Sequence, residues 1–188
     1  MIKEARQNKG FRYVLTCIDV FSKYAWAVPI KRKTGELIVE GFKKIMQKRR
    51  PEHLQTDFGK EFYNAKAKRL FDDMGIVHYS TNSELKASVV ERFNRTLKEK
   101  LEKIFEYNKS RKWVDLLEDV LRNYNHHTIH RTIGMTPAEA SRKDNEAVVR
   151  ERLVQTGMLD QAKPRFEIGD TVRIKKQKAL FEKGYKQN

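Results

Sequence analysis

Two apolar runs stand almost back to back near the start of the chain. FRYVLTCIDVF (11–21) is nearly continuous and rich in β-formers, and YAWAVPI (24–30) follows after only Ser22-Lys23. The first reads as a buried strand, about Arg12–Val20, and so short a link folds the second, Tyr24–Ile30, back against it as an antiparallel hairpin. Pro29 then belongs at an edge or a strand end, because it cannot donate to a ladder. Both faces of such a hairpin need cover.

The cover is written downstream. Thr34 is placed to cap a helix running to about Lys48, with Leu37, Ile38, Phe42, Ile45 and Met46 as its apolar stripe and Arg49-Arg50-Pro51 as its stop. His53–Thr56 reads as a short strand ending at Asp57. Asn64–Met74 reads as a helix closed by Gly75, and Ile76–Ser80 as another strand. After a polar loop at 81–87, a long helix begins near Ser88 with Phe93, Leu97, Leu101, Ile104 and Phe105 inward. A further helix is predicted over Arg111–His126. Thr136-Pro137-Ala138-Glu139 is a capping box with proline at its first helical position. Hairpin strands followed by αβ units argue for an α/β fold, a mixed sheet with helices on both faces. The chain divides into a polar lead-in (1–10), a core domain (11–145), a linker or helix (146–163) and a basic tail (164–188). One strand of that tail, Thr171–Lys175, is too little to bury itself.

With 40 Lys+Arg against 25 Asp+Glu in 188 residues, the net charge is +15. That excess favours a polyanionic partner, because neutralising phosphates releases counterions. A solvated basic surface is the plainer alternative. The lone cysteine, Cys17, excludes an intramolecular disulfide and a multi-cysteine zinc finger. No apolar run approaches a membrane span of about 18 residues, and the first ten residues lack a signal-peptide core, so a soluble intracellular protein without a membrane partner is expected.

Two carboxylates stand where an α/β site would gather. Asp57, in QTDFGKEF, closes a strand, and Glu91, in ASVVERFNRTLK, lies in the first turn of the long helix. Taken singly, Asp57 is also a turn former before Gly59, and Glu91 a partner for the helix dipole. Together they could share a hard divalent cation. Glu91, Arg95 and Lys98 fall on one helix face by i, i+4, i+7 spacing, offering one ligand and two phosphate-binding cations, and Arg92 and Lys100 widen the basic surface. Asp57-Phe58-Gly59 is not a kinase motif, since the glycine-rich loop and catalytic His-Arg-Asp are lacking upstream. His126, His127 and His130 lack the glutamate of a zincin and read as structural.

The set YVLTCIDVFSKYAWAVPIKRKTG, LQTDFGKEF, GIVHYSTNSELKASVVERFNRTLKEKL and YNHHTIHRTIGMTPAEA resembles the catalytic core of retroviral-type integrases, ribonuclease-H-like DDE transferases. It is most similar to integrases of Maverick/Polinton-type transposons and host proteins derived from them. FEIGDTVRIKKQKALFEKGY resembles the start of the SH3-like DNA-binding barrel that follows such cores.

The resemblance implies a ribonuclease-H-like fold and a metal site of two aspartates and a glutamate, with Asp57 as the second aspartate and Glu91 as the glutamate. In the family the first aspartate lies one strand earlier than Asp19. Asp19 is therefore read as a hairpin-turn residue, with a place in the metal site as the alternative. The first strand and its aspartate are then expected to be missing, leaving a bare flank beside Arg12–Val20.

The implied chemistry is 3′-end processing and strand transfer on DNA with two Mg²⁺ (or Mn²⁺) ions, impaired here by the missing carboxylate. Arg92, Arg95, Lys98, Arg173, Lys175 and Lys176 would hold phosphates. Transposon ends and target DNA would be the partners, the protein would assemble as a homo-oligomer, and it would work in the nucleus. A catalytically inactive, domesticated nucleic-acid-binding module is the alternative.

Overall fold

The computed structural model describes residues 2–47, 49–80, 88–157 and 168–171. β1 (Tyr13–Ile18) and β2 (Ala25–Ile30) pair antiparallel from Tyr13↔Ile30 to Ile18↔Ala25. The hairpin is slightly shorter than its apolar runs because Asp19 already turns the chain. The Asp19 carboxylate accepts the Phe21 N–H at 3.1 Å and the Ser22 hydroxyl at 2.5 Å, and Lys23 adopts a φ of 61°.

Pleating gives the hairpin two apolar faces. Tyr13, Leu15 and Cys17 pack in one cluster with α1 (Gly35–Met46) and α2 (Ala65–Asp73). Val14 and Ile18 pack in another with α3 (Ser88–Asn108) and α4 (Leu117–Arg122). Helices therefore cover both faces, as the sequence demands. The α1 stripe is buried at Ile38, Phe42, Ile45 and Met46. Truncating Phe42 to alanine would cost about 3–5 kcal/mol. Gly41 lets α1 close on the hairpin, since a Cβ there would sit 2.7 Å from Leu15 Cδ2.

β3 (His53–Gln55) and β4 (Val77–Tyr79) pair in parallel through the crossover helix α2. The Asn64 side chain caps α2 by accepting the Lys66 and Ala67 N–H groups at 3.1 and 3.0 Å. Gly75, at φ +67°, ends it, and the Ile76 N–H bonds back to the Phe71 carbonyl at 2.8 Å.

Antiparallel and parallel pairs are both present, as a mixed sheet requires, and among the described residues they form two separate two-stranded sheets. Among the described residues β1 is bonded only to β2, and a cavity of about 400 Å³, lined by Val14, Thr16, Leu97, Leu101 and Trp113 among others, lies between β1 and α3. The polar lead-in contains a 3-10 helix, Ile2–Asn8.

The helix predicted from Arg111 starts only at Leu117, and Asn8 supplies the reason. Its side chain, 1% exposed, accepts the N–H groups of Trp113 and Val114 at 2.7 and 3.1 Å and donates to the Arg111 carbonyl at 3.0 Å. Those groups are held in a turn instead of an earlier helical turn. α4 then passes into a π-helical turn, Asn123–His127, that carries Asn125 to β2. The Asn125 amide exchanges two 2.9 Å hydrogen bonds with the Ala25 backbone, as a neighbouring strand would.

The Thr136–Glu139 capping box is present and starts α5 (Pro137–Ala140), a single turn, before α6 (Glu146–Gln155). Ile133, Ala140, Val149 and Leu153 form a third cluster, docked on Phe21 at the hairpin tip. The loop 81–87 and the basic tail apart from residues 168–171, with all of the expected strand Thr171–Lys175 but its first residue, lie outside the described residues.

Candidate nucleic-acid and metal site

Asp57 follows β3 at the end where a parallel pair opens. Its Oδ1 accepts the Gly59 N–H at 3.0 Å, and the side chain is otherwise exposed. Gly59 permits this fold-back, because a Cβ there would meet Asp57 Oδ1 at 3.0 Å and Glu61 Oε2 at 2.7 Å.

Behind the loop runs a polar network that the sequence reading missed. Thr56 donates its hydroxyl proton to the Asp57 carbonyl at 2.9 Å, so His78 Nε2, 2.8 Å from the same hydroxyl, must be the N–H donor. Burial holds the His78 pKa below its usual value, which favours this neutral imidazole. Tyr63 donates to Ser80 at 2.7 Å, and Ser80 donates to the Thr56 carbonyl at 2.8 Å. Phe58 stacks on Tyr63, which in turn lies against His78, with ring centroids 5.7 and 4.6 Å apart. The aromatic spacing of Phe58 and Tyr63 was a readable signal. The Ser80 connection depends on the β3–β4 register and was not.

Glu91 lies in the first turn of α3, exposed and with no hydrogen bond or ion pair among the described residues. Arg92, Arg95 and Lys98 are exposed on the same helix. Arg92 acts on its surroundings, since burial together with the charges of Lys23 and Arg92 lowers the His130 pKa. Arg173, Lys175 and Lys176 lie outside the described residues. Among those described, no group of three or more His, Cys, Asp or Glu side chains is placed to hold a metal.

Asp19 is differently employed. Both its oxygens serve the hairpin turn, and Arg49 pairs with it at 3.4 Å. This is the turn-stabilising role expected of it.

Helices on both faces of a hairpin, followed by a βαβ unit and a long helix, define a ribonuclease-H-like α/β core of the integrase kind. Two solved structures share the fold. The HTLV-2 integrase catalytic core domain in complex with magnesium (trimeric form) superposes with a TM-score of 0.61 at 19% identity, covering 69% of this chain and 84% of that one. A simian T-cell lymphotropic virus intasome in complex with PP2A regulatory subunit B56 gamma gives 0.65 at 19% identity, covering 92% and 56%.

The sequence carries the kinship further. Residues 2–83 match the integrase core domain family. A transposon-derived protein of Caenorhabditis elegans, F54H12.3, is 33% identical over 190 aligned positions, 100% of this chain and 63% of that protein. The Pol polyprotein of a radiation murine leukemia virus is 30% identical over 138 residues, 69% of this chain and 23% of the polyprotein. The chain thus resembles integrases, with an integrase core domain match over residues 2–83, and it spans less than two thirds of the length of these relatives.

Proposed function

We propose that the chain is part of a transposon-derived integrase that binds DNA and takes part in metal-dependent end processing and strand transfer. The observation that carries this reading is the integrase core match over 2–83, with Asp57 at the end of β3 inside it. The kinship with a transposon-derived protein and the charge of +15 support it.

The donors suit Mg²⁺ or Mn²⁺ in kind, since hard cations take carboxylate oxygens. Among the described residues, Asp57 has an oxygen free of hydrogen bonds, and Glu91 is exposed. These two residues would hold the metal, and when bound it would neutralise charge on a reacting phosphodiester. The chain's own contribution is position. The Gly59 N–H fixes the Asp57 carboxylate, the Thr56–His78–Ser80 network fixes its peptide, and Arg92, Arg95 and Lys98 orient phosphates. Asp19 is committed to its turn, so a third ligand must come from another residue, and strand transfer by residues 1–188 alone is proposed to be weak. Homo-oligomeric assembly and action in the nucleus belong to the same proposal.

Mn²⁺ titration and an end-joining assay on residues 1–188 test it. Asp57→Asn and Glu91→Gln should each weaken Mn²⁺ binding, while DNA binding survives. Unchanged metal binding in both would sink the site and favour the catalytically inactive DNA-binding module. Robust joining that Asp19→Asn abolishes would instead assign Asp19 as the third ligand.

A further inference from the structure

The loop that carries Asp57 also carries an aromatic surface that neither its packing nor metal binding requires. Phe58 is 58% exposed and Tyr63 44%. The two rings lie 28° from parallel with centroids 5.7 Å apart, so Phe58 has one face on Tyr63 and turns the other to solvent. Tyr79, 42% exposed, stands opposite Gln55 in the β3–β4 register, at the same end of the pair. Large exposed rings in one place mark an interaction surface.

The platform is also stiff. Tyr63 rests on His78, and His78 on Phe71, with centroids 4.6 and 4.7 Å apart, and Phe71 is buried in the α1–α2 core. The Tyr63 hydroxyl reaches Ser80, which bonds to the carbonyls of Thr56 at 2.8 Å and Asp57 at 3.2 Å. Tyr63 is thus tied to the Asp57 backbone, with Phe58 stacked on it next to Asp57 in the chain.

We propose that Phe58, backed by Tyr63, is a stacking platform for an unpaired nucleobase at a DNA end, holding that end beside Asp57. The inference rests on the integrase reading of Asp57 and adds to it a residue, Phe58, that positions the DNA end. A flat, single open ring face fits a base, which has a π-face whatever its sequence. The neighbouring Lys60 cation fits a phosphate-bearing partner, and the chain's net charge of +15 favours a polyanion. Lys60, exposed and in no ion pair among the described residues, is two positions along to meet the adjoining phosphate. A blunt duplex offers only the outer face of its last pair, held rigidly in the helix, whereas an unpaired base is free to turn onto the ring, so the platform favours frayed or overhanging ends over blunt ones.

The test uses residues 1–188 and a duplex with a two-nucleotide overhang bearing 2-aminopurine at its last base, against the same duplex blunt-ended, in EDTA. Chelation keeps the measurement independent of the metal site, whose own test is Mn²⁺ titration. Stacking should quench the 2-aminopurine emission on binding. Phe58→Ala should restore the emission and weaken overhang binding about tenfold, with blunt-duplex binding changed less than about twofold. Phe58→Trp should keep the quench. Phe58→Leu, which retains apolar bulk without a π-face, should behave like the alanine variant and guards against a folding artefact. Equal binding of overhang and blunt duplex by the wild type, or equal losses on both in Phe58→Ala, would overturn the proposal.

Discussion

Asp19 and Asp57 begin alike and end differently. Each follows a strand, and each accepts the backbone N–H two residues on, at 3.1 Å from Phe21 and 3.0 Å from Gly59. Asp19 then takes up the Ser22 hydroxyl and the Arg49 guanidinium. Among the described residues, Asp57 takes nothing further on its carboxylate, and it stays exposed. One carboxylate is spent on the fold, and the other is held in place yet left open. The local turn chemistry is the same, so the distinction comes from what the rest of the chain brings to each.

The sharpest way to break this contrast is metal affinity. Asp57→Asn should lower Mn²⁺ affinity by at least about 100-fold, because even the outer partners of metal ligands are worth 10–100-fold. Asp19→Asn should leave it within about twofold on the same scale. Isothermal titration reads both, and equal losses would erase the distinction.

Stability should reverse the order. Asp19→Ala strips charge-assisted bonds from the Phe21 N–H, the Ser22 hydroxyl and Arg49, at a cost of about 2 kcal/mol, a Tm drop of about 4–8 °C. Asp57→Ala removes a single exposed bond and should stay within about 0.5 kcal/mol. Thermal melts of the two variants side by side decide it.

Histidines sit behind both ends and respond to acid differently. His78 has its pKa lowered by burial, and His130 by burial and then by Lys23 and Arg92, with Tyr124 packed on its ring. A depressed pKa means the unfolded chain binds more protons as pH falls below about 6.5, so stability is full above that value and declines beneath it. Salt screens the cationic neighbours of His130 but not the desolvation of His78. His130→Gln should therefore flatten the pH 7.5 to 5.5 stability curve more in low salt than in high salt. The flattening from His78→Gln should not depend on salt.

What was legible in the sequence was local. The hairpin, α1, the βαβ unit around α2, the long α3 and the Thr136–Glu139 box were written in periodicity and capping residues, and the structure moves their ends by only a residue or two. The exceptions are tertiary. Asn8 holds the backbone of residues 111–114 from about a hundred positions away, and Asn125 reaches β2 only because α4 loosens into a π turn. No window of sequence contains both partners of such bonds. The separation of the strands into two pairs was not legible for a related reason. Strand existence is local, whereas the joining of β1–β2 to β3–β4 depends on what lies between them. At the site, Asp57 and Glu91 were readable as residues in places, but the support from His78, Tyr63 and Ser80 was not.

That support gives the smallest expected effect and the finest test of the contrast. Ser80→Ala removes the hydroxyl that ties Tyr63 to the carbonyls of Thr56 and Asp57. The three groups are partly open to water, so the loss should be only about 0.5–1.5 kcal/mol. Its consequence should nevertheless be one-sided. The Asp57 loop loses its brace while the Asp19 turn, built from its own Ser22 and Arg49, does not. Hydrogen exchange should quicken at Gly59 and leave Lys23, whose N–H bonds the Asp19 carbonyl at 2.8 Å, as protected as before. Equal quickening at both would mean that the two ends share one cooperative unit, and Asp57 would then owe its placement to the core as a whole and not to the Tyr63–Ser80 bond.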